Sequence, residues 1–90
     1  MKLENYIKLC EEHRDITTKI IKLQMFLDSH IEFLDEVIAG FMIEQYKAMK
    51  LYQMILSSRM AYLHIDIIED DYLIKYKFLG KTFSCKKDVK

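Results

Sequence analysis

From Leu3 to Leu27 the apolar positions fall at Leu3, Tyr6, Ile7, Cys10, Ile16, Ile20, Leu23, Phe26 and Leu27. The steps are mostly three and four, the spacing of one helix face rather than of a strand. The spacing predicts a first helix over 3–28, closed by the turn-forming Asp28-Ser29-His30. The polar run Glu11-Glu12-His13-Arg14-Asp15 interrupts the stripe for about one turn and leaves room for a solvated kink. A second helix is predicted over 35–63, with Asp35 as its N-cap and Glu36 at the positive end of its dipole. A short connection makes the two helices antiparallel neighbours, each roughly 37–44 Å long at ~1.5 Å per residue. Gly40, inside the second helix, would let another backbone come close.

Beyond Leu63 the period changes. Tyr72, Ile74, Tyr76 and Phe78 alternate with Leu73, Lys75, Lys77 and Leu79, which is the period of a strand. A partner strand fits His64–Ile68, with Glu69-Asp70-Asp71 as the turn, and Gly80-Lys81 can turn the chain again into Thr82–Cys85. The rival reading lengthens the second helix to Ile68. The alternation and the residue types favour β structure over 64–85. The expected fold is therefore mainly α: a single domain over 1–90, an antiparallel two-helix hairpin with a small C-terminal β element and a disordered tail at 86–90.

Composition adds a constraint. Half the residues (51%) are hydrophobic, with no proline and two glycines, in a chain of only 90 residues. So short a chain buries a modest share of its surface, and the apolar surplus points to assembly as a homo-oligomer. Fourteen basic residues balance fourteen acidic ones, so no long-range field draws the chain to long nucleic acid. Six of the basic residues lie between Lys75 and Lys90. No apolar run approaches the ~20 residues of a membrane span, and the N-terminus has no signal-peptide layout. Two cysteines, Cys10 and Cys85, make no disulfide framework, which fits a cytoplasmic setting. Cys10 reads as a small buried hydrophobe.

Candidate chemistry is sparse. His13, His30 and His64 stand at no zinc-ligand spacing, Ser57-Ser58 has no histidine–carboxylate pair to activate it, and there is no glycine-rich phosphate loop. Neither a metal nor a cofactor is expected, and the chain reads as a binding protein rather than an enzyme. The distinctive feature is a stripe of Gln45, Met49, Tyr52, Leu56 and Arg59, which spans about 80° of the second helix at ~100° per residue. Polar groups on a covered face need partners. Either Arg59 pairs with Glu12 or Asp15 of the first helix, or Arg59 and Tyr52 receive an anionic, base-bearing ligand. Lys19, at the edge of the first apolar stripe, is either a snorkelling surface lysine or a phosphate ligand. Six tyrosines and six methionines suit adaptable contact surfaces.

These residues resemble a known family. Glu12, Asp15, Ile16, Lys19, Ile20, Lys22, Leu23, Phe26 and Leu27, followed by Gln45, Ala48, Met49, Tyr52, Ile55, Leu56 and Arg59, are similar to a group of short phage proteins first catalogued in crAss-like phages. The resemblance covers about residues 12–63 and leaves 64–90 uncovered. His13 stands where that group usually has an aromatic residue. The resemblance implies a phage protein in the host cytoplasm, and small multimeric phage hairpins include sponges for the cyclic nucleotide signals of CBASS immunity. It would make Lys19, Gln45, Tyr52 and Arg59 the ligand-binding residues, holding a cyclic dinucleotide such as 3′,3′-cGAMP at interfaces between copies. Two other roles stay open at this stage: inhibition of a host defence enzyme by protein binding, and a purely structural hairpin.

Overall fold

The computed structural model describes residues 2–87. Helix α1 runs Leu3–His30, a 3-10 turn covers Ile31–Phe33, and helix α2 runs Glu36–Tyr62. Strands β1 (Asp66–Glu69), β2 (Leu73–Phe78) and β3 (Lys81–Lys86) follow. No helix is long and apolar enough to cross a membrane among the described residues.

The helix ends are set by local chemistry. Asp35 caps α2, its Oδ1 accepting from the amides of Val37 at 2.8 Å and Ile38 at 3.4 Å. At the other end His64 takes the left-handed conformation (φ 58°), and the Ile65 amide reaches back to the Met60 carbonyl at 2.9 Å. That is a Schellman closure, and Ile65 supplies its usual hydrophobic contact by being buried. Helix α1 passes through Glu11–Asp15 without a break and runs to His30, beyond the expected stop at 28. The polar run does not kink the helix, and His13 is buried in the middle of it.

The β element holds three strands, matching the three extended segments and two turns read from the alternation. They form an antiparallel meander in the order β1-β2-β3. Asp70 shapes the first turn by accepting from the amides of Tyr72 and Leu73 at 2.8 and 2.6 Å, and these bonds hold its carboxyl below the usual range. Leu79 (φ 52°) and Gly80 (φ 71°) make the second turn, the two-residue loop with both φ positive that matches strand twist. Lys86, expected in a disordered tail, pairs with Leu73 as the last residue of β3. Lys87 extends the order, its amide bonded to the Tyr72 carbonyl and its ammonium 2.7 Å from Glu69. The remainder of that expected tail, 88–90, lies outside the described residues.

Two hydrogen bonds fix the helix register. Thr17 accepts from Gln53 at 2.9 Å, and Tyr46 donates to Gln24. The partners step forward by seven residues on α1 and back by seven on α2, so the helices run antiparallel and in phase. The inner stripe of α2 is Tyr46, Met49, Gln53, Leu56 and Met60, continued by the cap residue Leu63, every one buried or half-buried.

One face of the sheet closes the core. Ile74, Tyr76, Phe78 and Cys85 pack with Leu9, Cys10, Ile16, Ile20, Leu56, Met60 and Ile65. Phe78 stacks on Tyr6 with ring centroids 5.2 Å apart. Tyr76 is fully buried and shares a 2.8 Å hydrogen bond with Nδ1 of His13, itself only 3% exposed. Burial holds the His13 pKa below the ordinary 6.5, with Glu69 opposing the shift. The fold therefore keeps His13 neutral while the unfolded chain protonates. Stability is full above pH 6.5 and is expected to decline as pH falls below that value, by up to about 1.4 kcal/mol per pH unit. Urea titrations across that range should show the decline, and His13→Gln should flatten it relative to the native chain.

The far half of the hairpin has no such cover. The Cα envelope measures 48 × 23 × 16 Å, and a helix with its side chains is about 10–12 Å across, so each helix keeps an uncovered side. On α2 that side shows Val37, Phe41, Leu51, Met54, Ile55 and Tyr62 to solvent.

Candidate functional site

Along one side of the hairpin the two helices leave a groove. Its central part is a cleft of about 420 Å³ walled by Lys8, Glu11, Glu12, Asp15 and Lys19 of α1 and Tyr52 of α2. Toward the sheet a second cleft of about 300 Å³ is bounded by Asn5, Lys8, Leu9 and Glu12 of α1 and Arg59 of α2. Lys8 and Glu12 belong to both, so the clefts form one groove with Tyr52 and Arg59 on the same wall. Those two residues are two turns apart, ~10 Å along the helix at ~1.5 Å per residue.

The structure brings Lys19 to Tyr52 and continues the groove to Arg59, but it leaves Gln45 apart. Gln45 lies two heptads before Arg59, ~21 Å along α2, and neither cleft includes it. No single small ligand spans all four residues in one copy. The polar stripe also sits differently from the expectation of a shared covered face. Leu56 is fully buried and Met49 half-buried, whereas Gln45, Tyr52 and Arg59 are exposed on the flank. The polar links between the helices come instead from Gln53 and Tyr46.

The expected pairing of Arg59 with Glu12 or Asp15 is not made among the described residues. Asp15 is held by Arg14, at 2.9 Å. Arg59 and Glu12 share a cleft wall without an ion pair. Three cations (Lys8, Lys19, Arg59) and three carboxylates (Glu11, Glu12, Asp15) line the two clefts. The two lysines and Arg59 are exposed and free to reorient toward an anion.

Lys8 was not singled out from the sequence, though a signal was there: Lys8, Glu12, Asp15 and Lys19 follow steps of four, three and four, a second stripe beside the apolar one. The thiols offer no competing chemistry. Burial, with Cys85 nearby, pushes Cys10 up to about 12, and burial also raises Cys85. Both are thiols at neutral pH and poor nucleophiles.

Compared with known proteins, the hairpin is what finds a match. The family model described as Sequestin matches residues 4–62. The chain belongs to the Sequestin family. The matched span of this sequestin ends with the last residue of α2, so it contains both walls of the groove, while the sheet lies beyond it. The family name denotes sequestration, a binding role rather than catalysis. No curated protein and no solved structure shows significant similarity to this sequestin.

Proposed function

We propose that this sequestin is a phage anti-defence protein that captures a cyclic dinucleotide immune signal of the 3′,3′-cGAMP type and holds it intact, in the host cytoplasm, at an interface between its own copies. The observation that carries the reading is the groove in which Lys19, Tyr52 and Arg59 stand together, in a chain whose family name denotes sequestration. A cyclic dinucleotide offers two phosphodiester charges and two flat bases. Lys19 and Arg59 would pair the phosphates, the guanidinium through paired N–H donors. The Tyr52 ring would stack on a base. Gln45, with one donor edge and one acceptor edge, would read a base from a neighbouring copy. Nothing in the groove sets a nucleophile beside a base, so the ligand would leave chemically unchanged.

Added 3′,3′-cGAMP is expected to raise the melting temperature and to be recovered whole after heat denaturation, as read by chromatography of the supernatant. Arg59→Ala removes a charge-assisted contact and should weaken binding roughly 10–100-fold. Because Arg59 is exposed and makes no ion pair among the described residues, the variant should keep the native helical spectrum. No shift with any of a panel of cyclic dinucleotides would end the proposal.

A further inference from the structure

The outer face of α2 carries its own periodic pattern. Ile38, Phe41, Gln45, Ala48, Tyr52, Ile55, Arg59 and Tyr62 follow one another in strictly alternating steps of three and four. That is the seam of a coiled coil, three and a half residues per repeat. All eight are exposed, Phe41 by 70%, Ile55 by 51% and Tyr62 by 84%. The stripe that α1 covers lies one residue further on at each step, about 100° around the helix. Helix α2 therefore has two seams, and this chain fills one.

We propose that a second copy fills the other, by antiparallel pairing of α2 with α2, and that this pairing completes the ligand groove. The seam is complementary to its own reverse. Turned end to end about its midpoint, it sets Tyr62 on Ile38, Arg59 on Phe41, Ile55 on Gln45 and Tyr52 on Ala48, with no seam residue left over. Each layer joins unlike side chains. At the centre the Tyr52 ring meets the small Ala48, large against small as close packing requires. Further out, the Arg59 guanidinium meets the Phe41 ring, a cation–π pair. The receiving surface is already shaped: a cleft of about 610 Å³ bounded by Met54, Ile55, Ser58, Arg59, Tyr62 and Leu63 lies where the register delivers the other copy's Phe41. A parallel pairing would stack Arg59 on Arg59 and Ala48 on Ala48, a like-charge contact and a void. The seam is roughly 36 Å long and a helix about 10 Å wide, a flat footprint of roughly 360 Å² per copy, which the relief of the side chains enlarges toward the roughly 600 Å² per partner at the low end of specific interfaces.

The same register resolves the separation of Gln45 from Arg59. In the pair, Gln45 of one copy meets Ile55 of the other, which lies between that copy's Tyr52 and Arg59. Gln45 and Tyr52 also sit on the angular sector of α2 between α1 and the second copy. Two grooves then meet across the two-fold axis, each with Lys19, Tyr52 and Arg59 from one copy and Gln45 from its mate. This assignment of Gln45 rests on the ligand reading above; the pairing itself stands on the seam.

Two single variants, Gln45→Cys and Ile55→Cys, test the register. Mixed and oxidised, they are expected to form a disulfide dimer on a non-reducing gel, while each alone does not, since like positions lie ten residues, ~15 Å, apart. Links within each variant alone would mean parallel pairing and overturn the register. Light scattering of the native chain should give at least two copies, and Ile55→Glu, a change on an exposed position, should give one copy with its helical spectrum intact. A native chain of one copy overturns the pairing, even if it binds 3′,3′-cGAMP. A native dimer that forms the mixed disulfide but binds no cyclic dinucleotide supports the pairing and sinks the ligand reading, so the two failures are distinguishable.

Discussion

Tyr76→Ala is expected to remove most of the stability of the fold. Ninety residues typically give a net stability of roughly 5–13 kcal/mol, and emptying a fully buried aromatic site commonly costs about 3–5 kcal/mol. Here the cavity would open between β2 and α1, and it would strip His13 of the hydroxyl at 2.8 Å. A buried polar atom without a partner adds about 1–3 kcal/mol. Tyr76→Phe isolates that second contribution, since it keeps the ring against His13 and Phe83 and deletes only the oxygen. Urea unfolding followed by circular dichroism should rank native above Tyr76→Phe above Tyr76→Ala. Equal midpoints for Tyr76→Phe and the native chain would mean that the buried hydrogen bond contributes nothing net.

Leu56→Ala should come close behind, at about 2–5 kcal/mol. Leu56 has no exposed surface and shares its cluster with Cys10, Met60 and Ile74, where both helices and the sheet converge. Helix α2 has only Leu56 and Met60 in the fully buried class, so a large part of its attachment rests on this one side chain. The neighbouring polar links, Gln53 to Thr17 and Tyr46 to Gln24, are partly exposed or exposed and cannot replace the lost packing. Loss of helical signal at a lower urea concentration, with an unchanged slope, is the expected result. A change below about 1 kcal/mol would place the hinge of the hairpin's stability elsewhere.

Period was the most readable property of the chain. Steps of three and four marked both helices, and alternation marked Ile74, Tyr76 and Phe78 as one buried face. Asp35 was legible as a cap because its chemistry is local. The strand at Asp66–Glu69 and the full three-strand meander were only partly legible, since Ile65, Ile67 and Ile68 suit a helix end as well as a strand. What decides between them is the left-handed turn at His64, which no pattern of apolar residues encodes. His13 was misplaced for a related reason. A histidine inside a charged run looks solvated, and only the tyrosine 63 positions later makes its burial tolerable. By helix angle the sequence set Gln45, Tyr52 and Arg59 on one face, and the structure has all three exposed on the flank of α2, with Gln45 outside the groove. The sequence could not tell that the covered stripe lies tens of degrees to one side, because α2 is apolar on more than one face and α1 had two choices.

The sheet's position against the first half of α1 has a bearing on how the chain is made. Tyr6, Leu9, Cys10 and His13 emerge early in synthesis, but Ile74, Tyr76, Phe78 and Cys85, which cover them, are added more than sixty residues later. At about 5–20 residues per second, that interval is several seconds, during which a nascent hairpin shows its most apolar end to whatever is near. The second half of α1 can meet α2 sooner, through Thr17–Gln53 and Gln24–Tyr46. Docking on the ribosome is therefore expected to run from the hairpin's turn toward its open end, with the meander as the final step, so that the groove residues nearest the sheet reach their places last.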